Sequence, residues 1–134
     1  MAKKTFIADD KCLNEVIEFL EAELSMAGAS MKILMQMSVC IEEVFVNIAH
    51  YAYKEEGNVD FEITHNKTDN TVSFVFTDSG VPFNPLAKKD PDITLSAEER
   101  DIGGLGIFIC KKTMDDIHYE YVNGSNVLTM VKKI

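Results

Sequence analysis

The stretch that decides the fold is SMKILMQMSVCIEEVFVNIAHYAY, Ser30 to Tyr53. Ser30 can accept a bond from a backbone N–H two or three residues on and so cap a helix. From Ile33 onward almost every residue is apolar, the composition of a helix buried nearly all round. Ser38 and Glu42 lie off to one side. The other polar residues are Gln36, Glu43, Asn47 and His50, and at 100° per residue they fall within an arc of about 60°. A narrow polar stripe on a buried helix faces either a hydrogen-bonded core network or a ligand cavity.

Upstream, Thr5 to Ala8 reads as a short edge strand, and Asp9 or Asp10 can cap the helix after it. Leu13, Val16, Ile17, Leu20 and Leu24 recur at helical spacing, with Glu15, Glu18, Glu21 and Glu23 among them. That helix has an acidic outer face and ends near Gly28, a C-cap glycine. Downstream, Val59, Phe61 and Ile63 alternate with polar residues, and so do Val72, Phe74 and Phe76 after a turn at Asn66 to Asn70. The stretch from Asp78 to Ile102 holds all three prolines and no clear period. A loop that long inside a compact domain is either a functional lid or a sign that elements within it have been misassigned. A third helix starts at Gly103 or Gly104 and runs to about Met114. Ile117 to Tyr121 and Val127 to Val131 flank Asn123-Gly124, a strong hairpin signal. Helices and hairpins in this order predict an α+β fold, a two-layer α/β sandwich with helices packed on one face of a mixed, mostly antiparallel sheet.

The chain has 134 residues, enough for a single domain spanning 1–134. Its net charge is −9, and no Lys/Arg run exceeds two residues, which argues against nucleic-acid binding. An acidic protein that binds an acidic nucleotide must concentrate positive potential locally. No uninterrupted apolar run reaches the roughly 18 residues that span a membrane. Met1 to Thr5 carry two lysines with no apolar signal core behind them, so no membrane association and a cytoplasmic location are expected. Cys12, Cys40 and Cys110 are widely spaced in apolar surroundings and read as small core residues rather than disulfide or zinc ligands.

Three clusters can carry chemistry. Glu43 and Asn47, at i and i+4, share a helix face. Asn47 can give a carbonyl oxygen to Mg²⁺, which keeps its other positions for phosphate and water. Glu43, one turn away, can orient or deprotonate a nucleophile for phosphoryl transfer. A buried network bracing the helix is the competing reading. The second cluster is Asp78-Ser79-Gly80-Val81-Pro82-Phe83, directly after a strand. Asp78 can accept from the 6-amino group of adenine and would repel the guanine oxygen at that position. Gly80 would let the backbone approach a flat base. An ordinary strand-ending turn has the same composition. The third cluster is Gly103-Gly104-Leu105-Gly106, where a glycine-rich helix start can close its N–H groups on phosphates. It is neither a P-loop nor a good dinucleotide fingerprint, since no Gly-Lys-Ser/Thr follows and Ile109 stands where the last glycine would be. Lys88, Lys89 and Arg100 lie in the expected ATP lid, at about 84–102. They are either solvated or reach the terminal phosphate, and Arg100 is nearest the glycines.

In this order the clusters resemble the motifs of the Bergerat-fold (GHKL, histidine-kinase-like) ATPases. Ile41-Glu42-Glu43-Val44-Phe45-Val46-Asn47 is similar to their N-box, Asp78-x-Gly80-x-x-Phe83 to their adenine box, and Gly103-Gly104-x-Gly106-Ile107 to their second glycine box. The resemblance runs from about Thr5 to Ile134. The chain's size, with His50-Tyr51-Ala52-Tyr53, Met114-Asp115-Asp116 and Asn126-Val127-Leu128-Thr129, makes it most similar to stand-alone anti-sigma-factor serine/threonine kinases. The resemblance implies ATP and Mg²⁺ as cofactors and a nucleotide site of Asn47, Asp78, Gly80, Phe83, Arg100, Gly103, Gly104, Leu105 and Gly106. It implies Glu43 as the catalytic base and Asn47 as the metal ligand. It also implies phosphorylation of a STAS-domain anti-anti-sigma partner, a sigma factor as a second partner, and a homodimer. A nucleotide-dependent protein-binding switch without phosphotransfer is the alternative. His50 stands three residues after Asn47, where the family more often has its histidine at the fourth.

Overall fold

The computed structural model describes residues 1–53, 55–87 and 104–134. Strand β1 is Ala2–Ile7, helix α1 Leu13–Met26, helix α2 Met31–Tyr51, strand β2 Asn58–Asn66 and strand β3 Thr71–Asp78. Helix α3 is Gly104–Thr113, strand β4 Asp116–Val122 and strand β5 Ser125–Lys133. The strand order is β1-β2-β3-β5-β4. The sandwich of helices on one sheet face is the expected one. Every pairing among the described strands is antiparallel, in keeping with the mixed, mostly antiparallel sheet expected.

Local chemistry sets the element ends. The Asp9 carboxylate accepts from the Lys11 amide and caps a short 3-10 turn, Asp10–Cys12, which leads into α1. Gly28, at φ 81°, ends α1 in a Schellman arrangement: its amide bonds to Ser25 and the Ala29 amide to Leu24. The Ser30 hydroxyl accepts from the Ile33 amide and caps α2. Asn123 and Gly124 both have positive φ, the backbone that a two-residue hairpin turn requires. β1 begins three residues earlier than its sequence suggests, because backbone pairing with β2 extends it over polar Lys3 and Lys4.

Strand alternation aims Val59, Phe61 and Ile63 of β2, Val72, Phe74 and Phe76 of β3, and Leu128 and Met130 of β5 at the helix layer. They meet Val16, Leu20 and Leu24 of α1, Met37, Ile41, Val44 and Phe45 of α2, Ile107 of α3, and Met114 just after it. The Phe61 and Phe76 rings stack at 4.2 Å in the middle. α2 is not buried all round as expected: Met31, Met35 and Val39 are 69%, 64% and 55% exposed. A two-layer fold places the sheet on one side of α2 and α1 and α3 beside it, so its outward stripe meets solvent. α2 has the length and composition of a membrane span, but its inward stripe is core for the sheet.

Candidate functional site

The alternation that buries Val72, Phe74 and Phe76 also brings Asp78 to the inward face at the end of β3. In β5 the same rule carries Leu128 and Met130 back to Asn126, which sits opposite Asp78 in the antiparallel register. The two are the buried polar residues of the described chain, at 5% and 6% exposure. Asn126 uses its full hydrogen-bonding capacity. Its Nδ2 donates to Asp78 Oδ1 and to the Val81 carbonyl, each at 2.9 Å. Its Oδ1 accepts from the Phe83 amide at 3.1 Å and from the Tyr119 hydroxyl. Asn126 thus ties the chain after β3 to the sheet.

The Gly80 amide donates to Asp78 Oδ1 at 2.9 Å, so both bonds to this carboxylate fall on one oxygen. Among the described residues no donor meets Oδ2. No deeply buried polar side-chain atom among the described residues lacks a partner, and Asp78 lines the adjoining cavity. That cavity has about 30 Å³, and Asp78, Asn126, Asn47 and Tyr119 border it. Its apolar walls are Val44 and Ile48 of α2, Phe76 and Leu128 of the sheet, Ile107 of α3, and Pro85. The space holds about one or two waters, so a purine enters only if a wall moves. Pro85, in the turn after β3, is the wall outside the main core. A larger hollow of about 400 Å³ lies beyond the C-terminal end of α2, but Asp9, Asp10, Glu55 and Glu56 line it and disfavour phosphate.

Glu43 and Asn47 stand one turn apart on α2, as the spacing predicts. Asn47 Nδ2 donates back along the helix, to the Glu43 carbonyl at 2.9 Å and to Glu43 Oε1 at 3.4 Å. No donor among the described residues meets the Asn47 side-chain oxygen. Among the described residues no three His, Cys, Asp or Glu side chains form a metal cluster. A single amide oxygen instead suits Mg²⁺ that arrives with substrate phosphates.

Two predicted glycines have a structural reason that differs from the expected one. A Cβ on Gly106 would lie 2.0 Å from Glu43 Cδ, so this glycine lets α3 pack on α2 at the carboxylate. A Cβ on Gly80 would lie 2.2 Å from the Ala52 carbonyl oxygen, so Gly80 fits the turn against the end of α2. There the Val81 amide bonds to that same oxygen at 2.9 Å. Phe83 reaches the site through its backbone amide. Its ring is outside, stacked on Tyr51 at 5.8 Å. His50 turns from Asn47 to Asp10, with Nε2–Oδ2 at 2.8 Å. Gly104 opens α3 and Leu105 follows in its first turn. Lys88, Lys89, Arg100 and Gly103 lie outside the described residues, as does most of the expected lid.

Asn126, Tyr119 and Tyr53 had no role in the site as read from the sequence. Asn126 had a signal: it occupies an inward position of a strand whose other inward residues are apolar. The Tyr53 hydroxyl donates to the Asn58 carbonyl at 2.7 Å and accepts from the Ser79 amide at 2.8 Å, which braces the turn after Asp78. Burial pushes the Tyr53 phenol above its ordinary value, and the nearby Asp78 and Asp60 charges add to this against the Ser79 bond.

An antiparallel sheet under three helices, with a buried Asp beside an apolar cleft and a Glu/Asn pair on the facing helix, has the architecture of a nucleotide-binding ATPase domain. The family model described as histidine kinase-like ATPase domain matches residues 6–132, and the chain belongs to that family. It is similar to the serine-protein kinase RsbW of Bacillus cereus, 30% identical over 115 residues, which cover 78% of this chain and 71% of that protein. It is also similar to RsbW of Listeria monocytogenes, 26% identical over 108 residues, covering 78% and 69%. Among solved structures, that of the RsbU and RsbW domains of Rv1364c from Mycobacterium tuberculosis shares the fold, with a TM-score of 0.64 at 13% identity. The match covers 99% of this chain and 32% of that longer one. The catalytic domain of histidine kinase ThkA has a TM-score of 0.52 at 15% identity, covering 99% and 97%.

Proposed function

We propose that this chain is an Mg·ATP-dependent serine/threonine protein kinase of the anti-sigma type, acting in the cytoplasm on a STAS-domain anti-anti-sigma partner. The observation that carries the reading is the Asp78 carboxylate, which borders the cleft and whose described hydrogen bonds both fall on Oδ1, leaving Oδ2 for a ligand. An adenine amino group donates to that oxygen, whereas the guanine oxygen meets an acceptor and is excluded. Val44, Ile48 and Ile107 supply apolar faces for the base.

Asn47 would hold Mg²⁺ through its side-chain oxygen, and the ion would supply charge neutralisation for the phosphates. The N–H groups at the start of α3, from Gly104, Leu105 and Gly106, would hold the phosphates, and the resemblance adds Gly103 and Arg100 to that site. Glu43 takes the proton from the serine hydroxyl as it attacks. The similarity to RsbW kinases supports this assignment of roles. A sigma factor as a second partner and a homodimer belong to the same reading.

The contact that turns Glu43 Oε1 back onto Asn47 favours a second reading, a nucleotide-dependent binding switch without phosphotransfer. Glu43→Gln separates the two. With radiolabelled ATP and a STAS-domain partner, phosphate transfer by the wild type that falls at least about 10²-fold in the variant supports the kinase. Nucleotide-dependent partner binding with no transfer by either form establishes the switch.

A further inference from the structure

Cys40 of α2 and Cys110 of α3 are both fully buried, and the nucleotide reading uses neither. The Cys110 Sγ donates to the Cys40 backbone carbonyl at 3.6 Å, which sets the Cys110 sulfur against the Cys40 residue. Cys40 precedes Glu43 by three residues and Cys110 follows Gly106 by four. The pair therefore sits about one helical turn from the point where α3 packs on the Glu43 carboxylate. All three cysteines are free thiols, and Cys12 stands apart in the turn before α1.

We propose that Cys40 and Cys110 form a reversible dithiol–disulfide site that takes a small disulfide oxidant of the glutathione class, and that the closed bond staples α3 to α2 and weakens nucleotide binding. The second half rests on the nucleotide reading above. The two thiols have different roles. The hydrogen bond from Cys110 lowers the Cys40 thiol below its ordinary value, whereas that bond and burial raise Cys110. Cys40 is the nucleophile, since the thiolate is the attacking form.

Its thiolate attacks one sulfur of the oxidant, forms a mixed disulfide and expels one small thiolate. Capping Cys40 removes the thiolate charge that holds the Cys110 proton. Cys110 then loses that proton to solvent, attacks the Cys40 sulfur and expels the second small thiolate. Two protein thiols are oxidised, one small disulfide is reduced to two thiols, and both protons end on the leaving groups. Because both sulfurs are buried, oxidation needs α3 to lift from α2. A nucleotide that bridges the two helices opposes that opening. ATP therefore slows the oxidation, and by linkage a disulfide that weakens ATP binding is itself disfavoured by ATP at equilibrium by the same factor.

The test uses the full chain carrying Cys12→Ser, treated with excess oxidised glutathione with and without ATP. Peptide mass mapping reads the product, and a nucleotide titration reads affinity. The expected result is one cross-linked peptide joining Cys40 to Cys110, reversed by dithiothreitol and formed more slowly with ATP. The oxidised form then binds ATP about fivefold more weakly or worse. With Cys110→Ser added, the glutathione adduct accumulates on Cys40. Free thiols after prolonged treatment, or separate glutathione adducts on the two cysteines, overturn the site. Equal ATP affinity of the cross-linked and reduced forms overturns the coupling. If the reduced protein binds no ATP, the nucleotide reading fails by itself, and the peptide map still decides the thiol site.

Discussion

Replacing Asn126 by alanine tests the network that holds the candidate site together. The side chain makes four bonds: to Asp78, the Val81 carbonyl, the Phe83 amide and the Tyr119 hydroxyl. The bond to the Asp78 carboxylate contributes about 1.5–3 kcal/mol, and each of the others about 0.5–1.5. Alanine strands all four partners. Water from the adjoining cavity replaces part of the loss, which leaves a net destabilisation of about 3 kcal/mol. For a domain of this size each kcal/mol moves the midpoint by about 3–5 °C, so the fall should be about 10–15 °C. Thermal unfolding followed by circular dichroism measures it. Tyr119→Phe removes only one of the four bonds and should lower the midpoint by about a third as much. A fall below about 4 °C for Asn126→Ala would refute the reasoning, since the four bonds would then contribute no more than an exposed polar contact.

Two further substitutions separate stability from chemistry. Gly106→Ala places a methyl 2.0 Å from Glu43 Cδ. The obstacle is the end of a flexible side chain, and alanine favours the helix by up to about 1 kcal/mol. Stability should change by only a few degrees, while displacement of the carboxylate lowers phosphotransfer about 10²-fold. Activity equal to the wild type would show that Glu43 is not the base. Tyr53 gives a pH dependence with a definite sign. Its folded pKa lies above the ordinary value of 10.0, so its contribution is complete below pH 10 and declines as pH rises through the raised folded value, because the unfolded chain releases the phenolic proton first. Tyr53→Phe should flatten the loss of stability above pH 10 in an alkaline unfolding series, and an unchanged slope would contradict the assignment.

Much of the fold is written in local patterns. The helical spacing of Leu13 to Leu24, the alternation in β2 and β3, and Asn123-Gly124 each act through neighbours in sequence, so they can be read there. The exposed stripe of Met31, Met35 and Val39 was not legible, because the number of layers decides whether an apolar helix is covered on its outer side. The site divides in the same way. Glu43 and Asn47 share a face by helix geometry alone, and the structure places them together as their spacing requires. Asn126 meets Asp78 only through the β3–β5 register, a contact across 48 residues. The glycines were identified, but the physical need for two of them was not. Gly106 and Gly80 are required by Glu43 and by the Ala52 carbonyl, both brought in by tertiary packing.

The central claim is that the cleft beside Asp78 selects adenine nucleotides, and ligand-dependent unfolding tests it most directly. The wild type and Asp78→Asn are heated with ATP, ADP or GTP, each with and without Mg²⁺. At a hundred times its dissociation constant, a nucleotide adds about 2.7 kcal/mol, enough to raise the midpoint by several degrees. The account predicts that ATP and ADP stabilise the wild type, that GTP does not, and that Asp78→Asn abolishes the response. No shift with ATP at millimolar concentration, or an equal shift with GTP, would contradict it.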